Sequence, residues 1–302
     1  MKETVKAYAK INLTLHVLGK REDGYHDLDL IFSPVSLCDL LEIEENDADA
    51  LRFSCSIPAF QTADNLVVRA YETMRERYPG KIPGLTVALT KDIPSGAGMG
   101  GGSADAAALL SFLAERYLPD LTEQELIGIG AGLGADVPAC TIRHATRGLG
   151  VGERLTHIRT EAAFPLLVIK PPYSFNTGEM YRRTDELLPD SHENRNDQMV
   201  KALEAADAGA VSDLLYNIFE EAVPEKEKIR SLKESLLAAG ARGSLMTGSG
   251  SAVFGIFEDP EQRDRAFAEL SEKAAGQTDP EAPLYGCRIC SCEMVNLQQE
   301  PE

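Results

Sequence analysis

The chain has 302 residues, of which 43% are hydrophobic and 26% charged, and a formal net charge of −18 at pH 7. That length suits one large or two ordinary packed domains. So acidic a chain lacks the Lys and Arg excess that phosphate-backbone binding requires, so nucleic acid is not expected as a partner. No run of ~18 apolar residues is present, so no membrane span is expected. The six cysteines include the run CRICSC, holding Cys287, Cys290 and Cys292. It has no second ligand pair at zinc spacing, so it reads as ordinary half-buried thiols in a reducing, cytoplasmic compartment, with no metal site. The opening MKETVKAYAKINLTLHV alternates polar and apolar residues and lacks a secretory h-region.

In chain order, residues 7–17 predict a strand, with Ile11, Leu13, Leu15 and Val17 on one face and Lys10, Asn12, Thr14 and His16 on the other. A turn follows at 19–24, then strands at 26–37 and 39–45, a helix at 64–78 and a short strand at 84–90. Behind the glycines of PSGAGMGGGSADAAALL (94–110), Leu109, Leu110, Leu113, Ala114 and Tyr117 form a helical stripe, with Ser103 at the expected N-cap. Thr122-Glu123-Gln124-Glu125 is a capping box opening another helix.

The second half predicts a strand at 166–169 and helices at 177–188, 197–207, 210–222 and 225–239, the last stopped by Gly240. A strand at 243–247, a turn TGSGS, a strand at 252–257, a helix at 260–275 and a strand near 284–295 complete it. Without the extra helices this is β-α-β-β-α-β, the ferredoxin-like order, so a domain boundary is expected near 155–164.

Five glycines fall within 96–102, directly before a helix. Amides unobstructed by Cβ atoms, with a helix N-terminus behind them, form an anion cradle suited to phosphate. Gly96, Gly98 and Gly101 satisfy G-x-G-x-x-G, but no second-strand acid lies ~20 residues on, which argues against a dinucleotide oxidoreductase. Gly96 and Gly101 also fit the start of a Walker loop, yet Gly102 stands where its lysine belongs, so a cation must come from elsewhere. Asp136 lies in GADVP, as a helix cap or a functional carboxylate. Thr247–Ser251 reads as a hairpin loop or a second set of phosphate donors.

PSGAGMGGGSADAAA (94–108) resembles the phosphate motif of the GHMP kinases, the galactokinase, homoserine, mevalonate and phosphomevalonate group. TGSGSAVFGIF (247–257) resembles their glycine-rich third motif. AYAKINLTLHVLGKREDGYHDLDLIF (7–32), LGADVP (133–138), FNTGEMY (175–181) and GARGSLMTGSGSAVFGIF (240–257) resemble one branch of that family, which acts on a cytidine-diphosphate-linked methylerythritol. The resemblance implies an α+β, two-domain GHMP kinase fold. An N-terminal domain (1–158), ribosomal-protein-S5-like and α/β, carries the ATP loop; a C-terminal ferredoxin-like domain (159–302) carries extra helices. It implies phosphoryl transfer from ATP, with Mg²⁺, to the 2-hydroxyl of that substrate in the non-mevalonate route to isoprenoid precursors.

By resemblance, Asp136 takes the hydroxyl proton and Lys10 lies beside it, keeping the carboxylate ionised. Pro94, Ser95, Gly96, Ala97, Gly98, Met99, Gly100, Gly101, Gly102, Ser103 and Ala104 wrap the ATP phosphates, Ser103 being the hydroxyl best placed to face Mg²⁺. Asn65 matches an adenine-binding position, though it also reads as the N-cap of the 64–78 helix. Asn12, Tyr25, His26, Thr177, Tyr181, Gly248 and Ser249 are expected at the substrate, with Tyr25, His26 and Tyr181 clamping the cytosine. Ala104 and Tyr181 depart from the family's usual residues, and 142–152 matches its pattern poorly. The competing readings are a kinase of mevalonate or homoserine, disfavoured by DGYH and FNTGEMY, and a non-catalytic nucleotide binder, disfavoured by the joint presence of Lys10 and Asp136. Monomer and homodimer both stay open.

Overall fold

A computed structural model describes residues 2–189 and 192–296. Its elements are β1 (Glu3–Lys20), β2 (His26–Glu45), β3 (Arg52–Cys55), α1 (Leu66–Arg77), β4 (Leu85–Thr90), α2 (Gly101–Tyr117), α3 (Glu123–Leu133) and α4 (Val137–Thr141). They continue with β5 (Thr146–Gly150), β6 (Arg154–His157), β7 (Pro165–Lys170), α5 (Thr177–Thr184), α6 (Asn196–Glu204), α7 (Ala208–Asp213), β8 (Tyr216–Asn217) and α8 (Phe219–Ala222). The last are α9 (Lys226–Ala238), β9 (Gly243–Met246), β10 (Val253–Ile256), α10 (Pro260–Gly276) and β11 (Arg288–Glu293). Two compact units emerge, each assembled from separate stretches of chain. The first comprises the chain up to Lys10, Leu37–Ile93 and Gly100–Ile142; the second comprises Ile11–Ser36, Pro94–Met99 and the chain from Arg143 onward.

In the first unit, β4 pairs antiparallel with β2 from Leu40↔Thr90 to Glu45↔Leu85, and β3 pairs parallel with β4. The inward residues of these strands, Leu41, Ile43, Leu85, Val87 and Leu89, are buried. α1 buries Val67, Ala70, Tyr71 and Met74, a single stripe at helical spacing. α2 is buried on nearly every side from Ala104 to Leu110, because its alanines let neighbouring helices approach closely. The capping box of α3 forms as expected: Thr122 accepts from the Glu125 amide, and the Glu125 carboxylate accepts from the Thr122 amide.

In the second unit, β5 pairs antiparallel with β2 from Leu28↔Gly150 to Phe32↔Thr146, and β6 continues that hairpin. The separate four-stranded sheet has the order β11-β7-β10-β9, antiparallel throughout. With a helix before β9 and α10 before β11, this is the ferredoxin-like arrangement expected from the second half. Every residue of β7 is buried, and Ile229, Leu232 and Leu236 of α9 join Ala266 and Leu270 of α10 in the core that covers it. A Cβ on Gly255 would lie 3.2 Å from the Leu236 Cβ, so glycine permits α9 to seat closely on β10.

The expected strands at 26–37 and 39–45 are one strand, β2, while β3, β5 and β6 carry no clear alternation and were not expected. The expected helix at 210–222 is broken: α7 stops, and Tyr216–Asn217 pairs parallel with Thr14–Leu15 before α8 begins. The helix expected at 177–188 ends at Thr184 and tightens into a 3-10 turn at Asp185–Leu187. Among the described residues, no helix is long and apolar enough to cross a membrane.

Candidate active site

Strand β1 gives Lys10 to the first unit and Asn12, Thr14 and His16 to the second. Its polar face is as buried as its apolar one: Lys10, Asn12, Thr14 and His16 are all at most 5% exposed. A polar side chain so enclosed must be satisfied by specific partners. Lys10 Nζ lies 3.7 Å from Asp136 Oδ1, and the Asp136 side chain is 53% exposed. Asp136 occupies the N-cap position of α4, but with helical backbone angles, and its carboxylate makes no capping hydrogen bond. The cap reading therefore accounts for its position and leaves its side chain uncommitted to the helix.

Gly100, at φ +69°, is the N-cap of α2; its carbonyl accepts the Ala104 amide at 2.8 Å. This corrects the expectation for Ser103, which is the third residue of the helix. The left-handed turn at Gly100 starts the helix earlier than a serine cap would. No side chain caps α2, so its first-turn N–H groups, from Gly101 to Ser103, face outward with the partial positive charge of the helix end. A Cβ on Gly100 would meet Lys10 Cε and Cys140 Sγ at 3.3 Å, so the Lys10 stem passes directly by this turn. Asn65 does cap α1: its Oδ1 accepts from Val67 N–H and its Nδ2 donates to Phe60 O, both at 2.9 Å.

A second charged group in this unit has no counterpart in the sequence reading. Lys91 Nζ bonds Asp39 Oδ2, and Asp105 Oδ2 at 2.6 Å, with all three side chains at most 6% exposed. Asp39 Oδ1 also accepts the amides of Asp92 and Ile93. Burial, only partly offset by Lys91, pushes Asp105 up to about 7. A Cβ on Gly101 would lie 3.5 Å from Lys91 Nζ, so the cluster sits directly under the start of α2. No local pattern announces it, because Asp39 and Lys91 are 52 residues apart.

In the second unit the two glycine motifs meet backbone to backbone. Ala97 and Met99 turn inward, while Gly96 (φ +61°) and Gly98 (φ +74°) keep the chain in the left-handed region. A Cβ on Gly98 would lie 2.1 Å from the Thr247 carbonyl, and one on Gly248 would lie 2.7 Å from the Gly98 carbonyl. Ser251 and Ala252 amides donate to the carbonyls of Gly96 (3.3 Å) and Ala97 (3.2 Å). The Asn12 amide donates to Thr247 Oγ1 at 3.0 Å, and Asn217 Nδ2 donates to the Gly248 carbonyl at 2.8 Å. Pro94 is half-buried and Ser95 exposed at the mouth of this loop.

The expected base-binding residues diverge. Tyr25 is 65% exposed and, among the described residues, its ring stacks on none. His26 is buried: its ring stacks on Tyr181 (centroids 4.8 Å, 17°), and its Nε2 lies 2.6 Å from Asp185 Oδ1. Bonds from His26 and from Lys20 hold the Asp185 carboxyl below the usual carboxylate range. Thr177 Oγ1 lies 2.8 Å from Ser249 Oγ, whereas Tyr181, one turn later, packs on His26 and Phe219. In the atypical 142–152 stretch, Arg147 grips Asp29 with two bonds, of 2.8 and 2.6 Å, a structural anchor.

The profile of the GHMP kinases N terminal domain matches residues 65–144, and that of the GHMP kinases C terminal domain matches 199–276. A 4-diphosphocytidyl-2-C-methyl-D-erythritol kinase of Clostridium botulinum (strain Alaska E43 / Type E3) is 35% identical over 271 residues, covering 89% of this chain and 96% of that protein. The chain belongs to the GHMP kinases. A protein of the same name from Clostridium kluyveri (strain ATCC 8527 / DSM 555 / NBRC 12016 / NCIMB 10680 / K1) is 38% identical over 273 residues, covering 89% and 96%. A crystal structure of 4-(cytidine 5'-diphospho)-2C-methyl-D-erythritol kinase superposes with a TM-score of 0.79 at 31% identity, covering 97% of this chain and 99% of that one. An L. major mevalonate kinase in complex with R-mevalonate has a TM-score of 0.73 at 17% identity, covering 98% and 96%, a likeness of fold.

As a GHMP kinase, the chain is an ATP-dependent kinase of a small molecule. That chemistry needs a positively biased cradle for phosphates and a carboxylate able to meet a hydroxyl. The uncapped start of α2 and the uncommitted Asp136 offer one of each.

Proposed function

We propose that the chain transfers the γ-phosphoryl group of ATP to the 2-hydroxyl of 4-diphosphocytidyl-2-C-methyl-D-erythritol, in the non-mevalonate route to isoprenoid precursors. The names of its relatives support the substrate, together with DGYH and FNTGEMY, since the alternative alcohols mevalonate and homoserine carry no base. The observation that carries the mechanism is the buried Lys10 ammonium, 3.7 Å from a half-exposed Asp136 carboxylate that caps nothing. Asp136 accepts the hydroxyl proton as the alcohol oxygen attacks the γ-phosphorus and ADP departs. Lys10, 3.7 Å away, faces that carboxylate from one side and supplies the cation missing from the glycine loop.

Ser95, Gly96, Ala97, Gly98, Met99, Gly100, Gly101, Gly102 and Ser103 cradle the phosphates with their amides, between Pro94, which has no N–H, and Ala104, whose amide is bonded to the Gly100 carbonyl. Asn65 meets adenine with the lone pair and amide hydrogen that its cap leaves over. Mg²⁺ suits such a site as an ion carried by the ATP phosphates: it keeps most of its waters and takes one or two protein oxygens, such as the Ser103 hydroxyl, neutralising phosphate charge. Asn12, Thr177, Gly248 and Ser249 contact the substrate, and Tyr25 offers an open ring face for cytosine beside the His26–Tyr181 stack. The halves 1–158 and 159–302 act as the two kinase domains; the profile matches end at 144 and resume at 199, on either side of the proposed change. Cysteines that form no disulfide suit the reducing cytoplasm, where the chain acts as a monomer or homodimer.

The test is an ADP-release assay with MgATP and the cytidine-diphospho-methylerythritol, beside its uridine analogue, mevalonate, homoserine and galactose. Turnover on the cytidine compound alone is expected. Equal use of the uridine analogue overturns the cytosine clamp, and preference for mevalonate or homoserine overturns the substrate.

A further inference from the structure

Lys170, the last residue of β7, is only 7% exposed. Its ammonium turns back on its own chain, donating to the carbonyls of Pro171 (2.6 Å) and Tyr173 (2.7 Å). Burial lowers its pKa, opposed only by the nearby Cys287 thiol. A buried cation held chiefly by backbone dipoles is costly, and it ties those dipoles in place.

What they hold is the segment 171–177, which packs on both glycine motifs. The Tyr173 carbonyl accepts a second bond, from Ser251 Oγ, and the Ser251 amide donates to Gly96 O. A Cβ on Gly96 would lie 2.3 Å from Ser174 Oγ, and one on Gly250 would lie 2.9 Å from the Phe175 ring. Thr177 closes the segment on Ser249 at 2.8 Å. All of these residues lie in the second unit.

We propose that Lys170 is a positioning residue for ATP: by fixing the Tyr173 carbonyl it seats Ser251 and Ser174 against Gly96, and so aims the amides of Gly96–Met99. The inference rests on the reading of 94–104 as the phosphate cradle. Lys170 touches no reacting atom and acts through Tyr173 and Ser251.

Calorimetric titration with MgATP tests it on wild type, Lys170→Met, Lys170→Arg and Ser251→Ala, with melting temperatures and steady-state constants alongside. Lys170→Met keeps the stem and removes the donors. Its Kd and KM for MgATP should rise about tenfold or more, since a ~1 Å misplacement of a positioning contact costs up to ~10²-fold. Its kcat should fall far less. Lys170→Arg should recover most of the affinity, and Ser251→Ala should shift Kd in the same direction by less. A lowered melting temperature with unchanged MgATP affinity, or affinity not recovered by arginine, overturns the positioning role. If Lys170→Met does not fold, Ser251→Ala decides: wild-type affinity there overturns the inference. Failure of the wild-type protein to bind MgATP overturns the cradle itself and the inference with it.

Discussion

The first unit holds two lysines that meet carboxylates in opposite ways. Lys91 is enclosed with Asp39 and Asp105, bonded to both and shielded from water. Lys10 is equally buried, but its partner Asp136 stands 3.7 Å away with half its surface open. Charges taken out of water are tolerated only when fully compensated, and then they are rigid. The Lys91 cluster approaches that character, with Asp105 Oδ1 its one buried atom without a hydrogen-bond partner among the described residues, and sits beneath Gly101 at the start of α2. A carboxylate that is to accept a proton needs the reverse: charge bias from one side and free approach from the other. Lys10 and Asp136 have that character. Tightness thus suits a scaffold, and looseness suits the proton transfer proposed for Asp136.

The contrast can be broken in four ways. The largest effect is expected for Asp136→Asn, which should lower kcat by ~10²–10⁴-fold while the melting temperature stays at the wild-type value. A rate near wild type would move the base elsewhere. Next, Lys91→Met leaves two buried carboxylates without their cation and should destabilise the fold by about 3–5 kcal/mol in urea unfolding. An unchanged midpoint would show that water compensates the cluster. Gly101→Val pushes a side chain toward Ile93, 3.1 Å from the Cβ position. It should weaken MgATP about tenfold through displaced amides, with the fold retained, as read by calorimetry and circular dichroism.

The smallest effect is a change of slope. The folded protein holds a proton on Asp105 up to about 7, whereas the unfolded chain releases it near 3.8. Between those limits the native state binds the extra proton, so this group's contribution to stability is full below the lower value and is lost as pH rises through about 7. Asp105→Asn should flatten that part of the melting-temperature profile; a profile parallel to wild type would show that Asp105 is ionised throughout.

The fold was legible where the pattern is local. The alternation of 7–17, the Thr122–Glu125 box and the apolar run of β7 all became the elements they announce. It was illegible where a distant segment decides: 210–222 has helical spacing, yet Tyr216 and Asn217 leave the helix to pair with Thr14 and Leu15. The glycine loop announced itself, but its cap did not, because a left-handed Gly100 does what a serine side chain was expected to do. Lys10 and Asp136 were found through their motifs and lie side by side; of the three residues expected at the cytosine, His26 stacks on Tyr181 and is tied to Asp185, while Tyr25 stands exposed. Asp39, Lys91 and Lys170 were missed, since a buried lysine and a surface lysine look alike in sequence.

The interleaving of the two units also sets a timetable for biosynthesis. Everything the first unit needs has left the ribosome soon after Ile142. The second unit cannot close so early: it uses the first-made β1–β2 segment, Ile11–Ser36, and Val35 is bridged to Met294, near the very end. Pairings that distant form late and slowly. Nascent chains should therefore carry a finished first unit beside an N-terminal ribbon still waiting for its partners, the interval in which a chaperone has most to protect.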